Sequence, residues 1–499
     1  MTTRVRYAPS PTGLQHIGGV RTALFNWFFA KSTGGKFILR IEDTDRERYS
    51  DESLQDLFDT MDWLGLDWDE GPEKGGPYAP YIQSQRFDIY QKYARELVEK
   101  GFAYECFCTE ERLESLREEQ KSGKSSHQGY DRHCRDLSPE ERERKREEFR
   151  ASGKNPVIRF KVPLSGSTVM EDLLFGKITR KNSDISPDPV LLKSDGFPTY
   201  HLANVIDDHL MKITHILRAQ EWIPTGPLHI LLYNAFGWEV PKYCHLPMVM
   251  GKDGQKLSKR HGSTSAREFR ENGYLPEAII NYVTMIGWSY DDKTEFFTKD
   301  ELKKVFSLEK INKAPGVFDY KKLDWFNGQY IRKLQPEELR RRLLPFLQKA
   351  KLCSDPPTAK ENEILTGAVP LIRERLKKLA DAPEMIRFLF EGVHLNDSAS
   401  LIPKNGSVEA TAGALQWLYR FTQAFFGRSD EENEAALREE AERLGVKIGD
   451  LLHPLRVAVT GTAVSPPIFE TMRLLGAEPV CARVKAAADL LNAAGRDGN

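Results

Sequence analysis

Two stretches of this 499-residue chain carry residues whose types and spacing suit a nucleoside triphosphate. In the first, the turn Pro9-Ser10-Pro11-Thr12-Gly13 runs into His16-Ile17-Gly18-Gly19, which opens a helix. The prolines stiffen the turn. The glycines let a ligand lie against the helix N-terminus, whose free amides and dipole favour phosphate. In the second, residues 251–260 read GKDGQKLSKR, and Lys256 and Lys259 form a cationic clamp in a Gly-flanked loop. Neither G-x-x-x-x-G-K-[ST] nor G-x-G-x-x-G occurs. Displacement at phosphorus relies on positioning and charge stabilisation more than on a protein nucleophile. The pair therefore suffices without a Ser/His/Asp or Cys/His arrangement.

A third cluster has the character of a metal knot. Cys106-Phe107-Cys108 is followed across a polar loop by Tyr130, His133, Cys134 and Asp136. Zinc takes about four soft or borderline ligands, and the three thiols supply three of them. His133 is chemically the most natural fourth. Cys244, Cys353 and Cys481 stand alone and read as structural.

These residues need a scaffold, and the pattern around them supplies one. A strand at Val5–Ala8, a helix from about Gly18 to Lys31, a strand at Lys36–Ile41 and a helix at Asp51–Leu64 begin a doubly wound α/β domain. Near residue 100 the alternation breaks. Charged helical segments at Glu110–Gln120 and Ser138–Arg150 flank a polar loop, KSGKSSHQG, at 121–129. The mixed-sign run EERERKREEFR reads as a solvated helix face. Strands return at Val157–Val162 and Val190–Lys193, and α/β character resumes with Ile213–Arg218 and a helix near Leu228–Phe236. One nucleotide-binding domain interrupted by an inserted domain is the simplest reading. From about Ala266 onward, helical periodicity dominates, and the final GRDGN reads as a frayed tail.

With 72 Lys+Arg against 73 Asp+Glu, the chain is no polycation, so a nucleic-acid partner must be met by local basic faces. No apolar run of about 18 residues occurs, so no membrane helix is predicted. No export signal is visible, and six cysteines are too sparse for a disulfide scaffold. Cytosol is the expected compartment.

Taken together, PSPTG…HIGG is similar to the HIGH signature, and KLSKR to the KMSKS signature, of class I aminoacyl-tRNA synthetases. RIEDTDRER at 40–48, LLKSDGFPTYHLANVIDDH at 191–209 and ILRAQEW at 216–222 resemble the bacterial-type glutamyl-tRNA synthetases. Gly19 stands in place of the second His, while Leu257 and Arg260 replace the Met and final Ser. Both departures are variants of the glutamyl group. The resemblance implies an α/β fold with a Rossmann-type doubly wound catalytic domain in two halves, 1–100 and 195–262. Between them lies an inserted tRNA acceptor-binding domain, 101–194, carrying the zinc site. A helical stem-contact domain, 263–335, and an all-helical anticodon-binding region, 336–499, divided near 395, would follow.

The activity implied is ligation of glutamate to tRNA(Glu) through glutamyl-adenylate, with ATP and Mg2+, by a monomer. His16 and Gly18 would hold ATP at the helix start. Lys256, Ser258 and Lys259 would bind its phosphates, with His16 and the two lysines catalytic. Arg6 and Arg218 would meet the carboxylates of glutamate, because the planar guanidinium fork bonds both oxygens and is left unpaired by neutral glutamine. Glu42 would take the ammonium, and Tyr200 and Asn204 would supply polar contacts. Among relatives, Tyr130 and Asp136 match different fourth ligands for zinc. Arg375, in the basic segment at 373–378, matches the place where discriminating relatives carry an arginine that reads the last anticodon base. A glutaminyl-tRNA synthetase would bring β-barrel anticodon modules, and a tRNA-modifying glutamyl-queuosine enzyme would lack the helical half altogether. A small nucleotidyltransferase would leave that half without a role.

Overall fold

A computed structural model describes residues 2–123, 129–395, 397–404 and 406–497. Most of the polar loop expected at 121–129, and the last two residues of the expected tail, lie outside them. The chain divides into two compact units, 1–269 with 279–320 and 270–278 with 321–499. Among the described residues, no helix is long and apolar enough to cross a membrane.

The first unit is built on parallel strands. Arg4–Tyr7 pairs with Lys36–Leu39, and His215–Ala219 pairs with Lys242–Leu246. The helices Ile17–Ser32 and Gly226–Phe236 make the respective crossovers. Arg4 and Thr214 join the two pairs: the Thr214 amide donates to the Arg4 carbonyl at 2.9 Å, and the Arg4 amide donates to Thr214 Oγ1 at 2.8 Å. The chain thus winds outward in both directions from the junction of the first strand with His215–Ala219. Ligands of open α/β sheets bind outside the carboxyl ends of the strands at such a point.

The segment expected as one insertion, 101–194, contributes to two sheets instead. Ala103–Cys106, Val157–Phe160 and Val190–Leu192 form a three-stranded antiparallel sheet. The hairpin Ser167–Asp172/Gly176–Lys181 joins the catalytic sheet, with Asp172 in parallel register with Tyr243. The core is shared as well: Ile158, Phe160 and Leu191 pack in one cluster with Tyr90, Leu202 and Leu232. The charged helix Pro139–Ala151 buries no residue and begins with a Ser138/Glu141 capping box, as a solvated helix does.

The stretch expected as a stem-contact domain, 263–335, is divided between the units. Its middle belongs to the first because Phe306 packs edge-on against Phe25 at 5.2 Å and stacks on Trp288 at 5.5 Å, covering the outer face of the first helix. The second unit is helical and holds two apolar clusters, one drawn from residues 275–389 and the other from 401–491. Its last helix, Ala477–Asp497, continues into the expected tail.

Candidate active site

His16 caps the first helix. Its Nδ1 accepts from the Gly18 amide at 3.0 Å, so that nitrogen is bare and the ring neutral. Burial, and then the charge of Lys256, hold its pKa below the ordinary histidine value, in agreement with that tautomer. Gly19 is required by its neighbour: a Cβ there would stand 2.9 Å from Tyr7 Oη, which donates to Gln15 Oε1 at 2.8 Å. The tyrosine hydroxyl therefore lies against the place where a second histidine would begin.

The two motifs are stitched together. The Ile17 amide donates to the Thr264 carbonyl and the Ala266 amide to the Gln15 carbonyl, each at 2.8 Å. Within the lysine loop, buried Leu257 is the anchor, its amide donating to the Val249 carbonyl at 3.0 Å. The Ser258 amide donates to His261 Nδ1 at 3.0 Å, and His261 pairs with Asp253. Lys256 is paired with Glu221 at 2.5 Å, whereas Lys259 makes no ion pair among the described residues.

Two cavities meet at the switch point, sharing Gly19, Thr22 and Ala219 as their common wall. One, about 540 Å³, is lined by His16, Gly18, Lys256, Ser258 and Lys259. Buried Arg21 also lines it, with Nε and one terminal nitrogen unbonded. The other, about 850 Å³, is lined by Arg6, Glu42, Tyr200, Asn204 and Arg218, the five residues expected to hold an amino acid.

Those five are not equivalent. Arg6 Nε donates to Asp208 Oδ1 at 2.9 Å, and wholly buried Arg40 donates to the same oxygen at 2.7 Å and to Glu42 Oε1 at 2.9 Å. Burial alone would raise the Asp208 pKa, but Arg6 and Arg40 outweigh it and hold the carboxylate ionised. Burial raises the Glu42 pKa, with Arg40 opposing. Glu42 Oε1 is thus committed to Arg40, and Oε2 has no hydrogen-bond partner among the described residues. Asn204 Oδ1 is likewise buried and unbonded, while its Nδ2 reaches Glu42 at 3.4 Å.

Arg218 has no carboxylate partner among the described residues, although only 5% of it is exposed. Its Nε donates to His245 Nε2 at 3.0 Å, and its terminal nitrogens donate to Tyr200 Oη at 3.2 Å, His229 Nδ1 at 3.3 Å and the Trp222 carbonyl at 3.3 Å. Burial drives the pKa of His245 down, and that of His229 far down, so both are neutral acceptors. A buried guanidinium surrounded by neutral groups is a site for an anion.

At the end of the strand Ala103–Cys106, the Sγ atoms of Cys106, Cys108 and Cys134 all lie within 4.8 Å of one another. Tyr130 Oη lies 3.3 Å from Cys106 Sγ and 3.6 Å from Cys108 Sγ. Hydrogen bonds from Cys108 and then Cys134 hold the Cys106 thiol well below the usual thiol range. His133 and Asp136 do not join this cluster. In the turn before Cys134 the His133 amide donates to Asp131 Oδ1 at 3.2 Å, and Arg132 adopts a positive φ.

In the second unit, an Arg375 terminal nitrogen donates to the Ser465 carbonyl. Arg456 donates to Ser465 Oγ at 2.6 Å and to the Pro466 carbonyl at 3.0 Å. Val464 beside them is 83% exposed.

Residues 2–325 match the family model for the catalytic domain of class I tRNA synthetases (E and Q), and residues 338–488 match an anticodon binding domain. A glutamate–tRNA ligase of Borreliella burgdorferi is 56% identical over 491 residues, 98% of this chain and 99% of that protein. One from Treponema denticola is 53% identical over 506 residues, with the same coverage. The crystal structure of a glutamate tRNA ligase from Elizabethkingia meningosepticum in complex with its amino acid superposes with a TM-score of 0.82 at 35% identity. That likeness covers 98% of this chain and 100% of that one.

Proposed function

The chain belongs to the glutamate–tRNA ligases, class I aminoacyl-tRNA synthetases, and from that premise we propose how its two adjoining cavities divide the reaction between them. Glutamate occupies the cavity of Arg6, Glu42 and Arg218. ATP occupies that of His16, Lys256 and Lys259. The α-carboxylate of glutamate attacks the α-phosphorus across the shared wall at Gly19, Thr22 and Ala219, and pyrophosphate leaves. The 3′-terminal adenosine of the tRNA then takes the glutamyl group, releasing AMP.

The single observation that carries this division is the isolation of Arg218. Arg6 and Arg40 already have carboxylates; Arg218 is buried among neutral acceptors and awaits one. Glu42 Oε2 and Asn204 Oδ1, both unbonded, supply acceptors for the ammonium. Lys259 neutralises charge spreading onto the α-phosphate, and Lys256 joins it when it leaves Glu221. Mg2+ accompanying ATP would supply charge neutralisation for the phosphates.

Wild-type enzyme should catalyse ATP–pyrophosphate exchange that depends on glutamate and not on glutamine. Arg218→Gln should weaken glutamate by roughly 3–5 kcal/mol, the cost of leaving a buried charge unpaired. Equal losses for glutamate and glutamine would refute the assignment.

We further propose that Cys106, Cys108, Cys134 and Tyr130 hold a structural zinc ion. The three clustered thiols would supply soft donors, and the Tyr130 hydroxyl, 3.3 and 3.6 Å from two of them, would supply the fourth. Arg375, beside Arg456 and exposed Val464, would meet an anticodon base.

A further inference from the structure

Arg218 owes its orientation to side chains that do not line the amino-acid cavity. A guanidinium only donates, so each imidazole nitrogen facing it must be bare. That fixes His245 with its proton on Nδ1, which donates to Asp172 Oδ2 at 2.7 Å. It fixes His229 with its proton on Nε2, which donates to His201 Nδ1 at 3.0 Å. Asp172 is itself pinned: its Oδ1 accepts from the amides of Leu174 and Phe175 at 2.9 and 2.8 Å, and its Oδ2 also accepts from the His245 amide at 2.9 Å. The chain Asp172–His245–Arg218–His229–His201 therefore has one consistent placement of protons.

We propose that Asp172–His245 and His201–His229 are positioning pairs. By locking two tautomers they make the Arg218 subsite a donor-only surface that accepts the side-chain carboxylate of glutamate and rejects a carboxamide. Tyr200 Oη accepts from Arg218, so its own proton is available to the substrate. The acceptors nearby, two imidazole nitrogens and the Trp222 carbonyl, are already engaged by Arg218. With Glu42 Oε2 and Asn204 Oδ1 taken by the substrate ammonium, the amide nitrogen of glutamine finds no uncommitted acceptor at Arg218. Were either ring to hold its other tautomer, an N–H would face an N–H and the fork would turn away. This inference rests on the assignment of Arg218 to the substrate carboxylate.

The test uses full-length enzyme and steady-state charging of tRNA. Asp172→Asn keeps an oxygen for the Leu174 and Phe175 amides but presents a donor to His245 Nδ1, favouring the wrong tautomer. It should raise the glutamate KM about tenfold or more, the worth of one misdirected charged hydrogen bond, with kcat and the ATP KM changed less than about threefold. The glutamate/glutamine ratio of kcat/KM should fall by about the same tenfold factor. His245→Gln, whose amide oxygen can accept from Arg218 Nε, should restore glutamate binding and abolish the effect of Asp172→Asn in the double variant; His245→Leu should do neither. If Asp172→Asn does not fold, the contrast between His245→Gln and His245→Leu decides. A wild-type glutamate KM and selectivity in Asp172→Asn, alongside a raised KM in Arg218→Gln, would overturn the positioning pairs and leave the role of Arg218 intact. An unchanged KM in Arg218→Gln would overturn both. Parallel losses in kcat and in both KM values, unrelieved by His245→Gln, would reduce the pairs to packing.

Discussion

His16 and Ser265 face each other across an antiparallel bridge, so the start of the helix Ile17–Ser32 and the chain leaving the lysine loop are one hydrogen-bonded piece. The loop is therefore tethered at its far end, while its lysines extend from a segment whose buried anchor is Leu257.

Lys259, with no ion-pair partner among the described residues, is the cation that charge developing at the α-phosphate can recruit without breaking a bond. Lys259→Ala should slow glutamyl-adenylate formation ~10²–10³-fold, as for loss of one preorganised donor, with glutamate affinity little altered. Single-turnover measurement of adenylate formation checks it; an undiminished rate would exclude the role.

Gly19 is constrained from outside its own helix. Gly19→Ala should cost roughly 1–3 kcal/mol by overpacking, because the new methyl meets the Tyr7 hydroxyl. Tyr7→Phe removes the obstructing oxygen, so the double variant should recover much of the loss. Urea denaturation of the cycle measures the coupling, and strictly additive effects would show that the contact is not the cause.

Protein purified without chelator should contain about one zinc per chain. Cys134→Ser and Tyr130→Phe should lower that content, while His133→Ala and Asp136→Ala should leave it unchanged. Elemental analysis distinguishes these outcomes, and metal loss in His133→Ala with none in Tyr130→Phe would transfer the fourth position to histidine.

Arg375→Gln should relax discrimination against tRNA(Gln) by ~1–3 kcal/mol if the guanidinium reads the last anticodon base. Contact with phosphate alone would weaken both tRNAs together and reduce the salt slope by about one. Wild-type enzyme that charges both tRNAs efficiently would remove the discriminating role.

The residues that line the two cavities were legible because each stands in a short string with local meaning, as His16, Lys259 and Arg218 do. Their supports were harder to read. Arg40 directly follows the strand Lys36–Leu39 and Asp208 lies in the helix Tyr200–Leu210, and only the fold brings both against Arg6 and Glu42. The hairpin at Ser167–Lys181 was missed for a physical reason. Its first strand buries polar Thr168 and Asp172 along with Met170 and turns Val169 outward, which breaks the apolar-inward alternation that marks a strand. Domain limits suffered similarly, since the aromatic cover that assigns Phe306 to the first unit is invisible to periodicity.

That hairpin bears on how such a protein can be recombined. A chimera exchanging 101–194 for the equivalent stretch of a relative exchanges more than a self-contained insertion. Asp172 travels with the graft, and so does Met170, whose sulfur lies where a Cβ on Gly226 would come to 2.3 Å. The donor's hairpin must therefore match the recipient's His245 and Gly226. Crossovers that leave residues 167–181 native offer the cleaner seam.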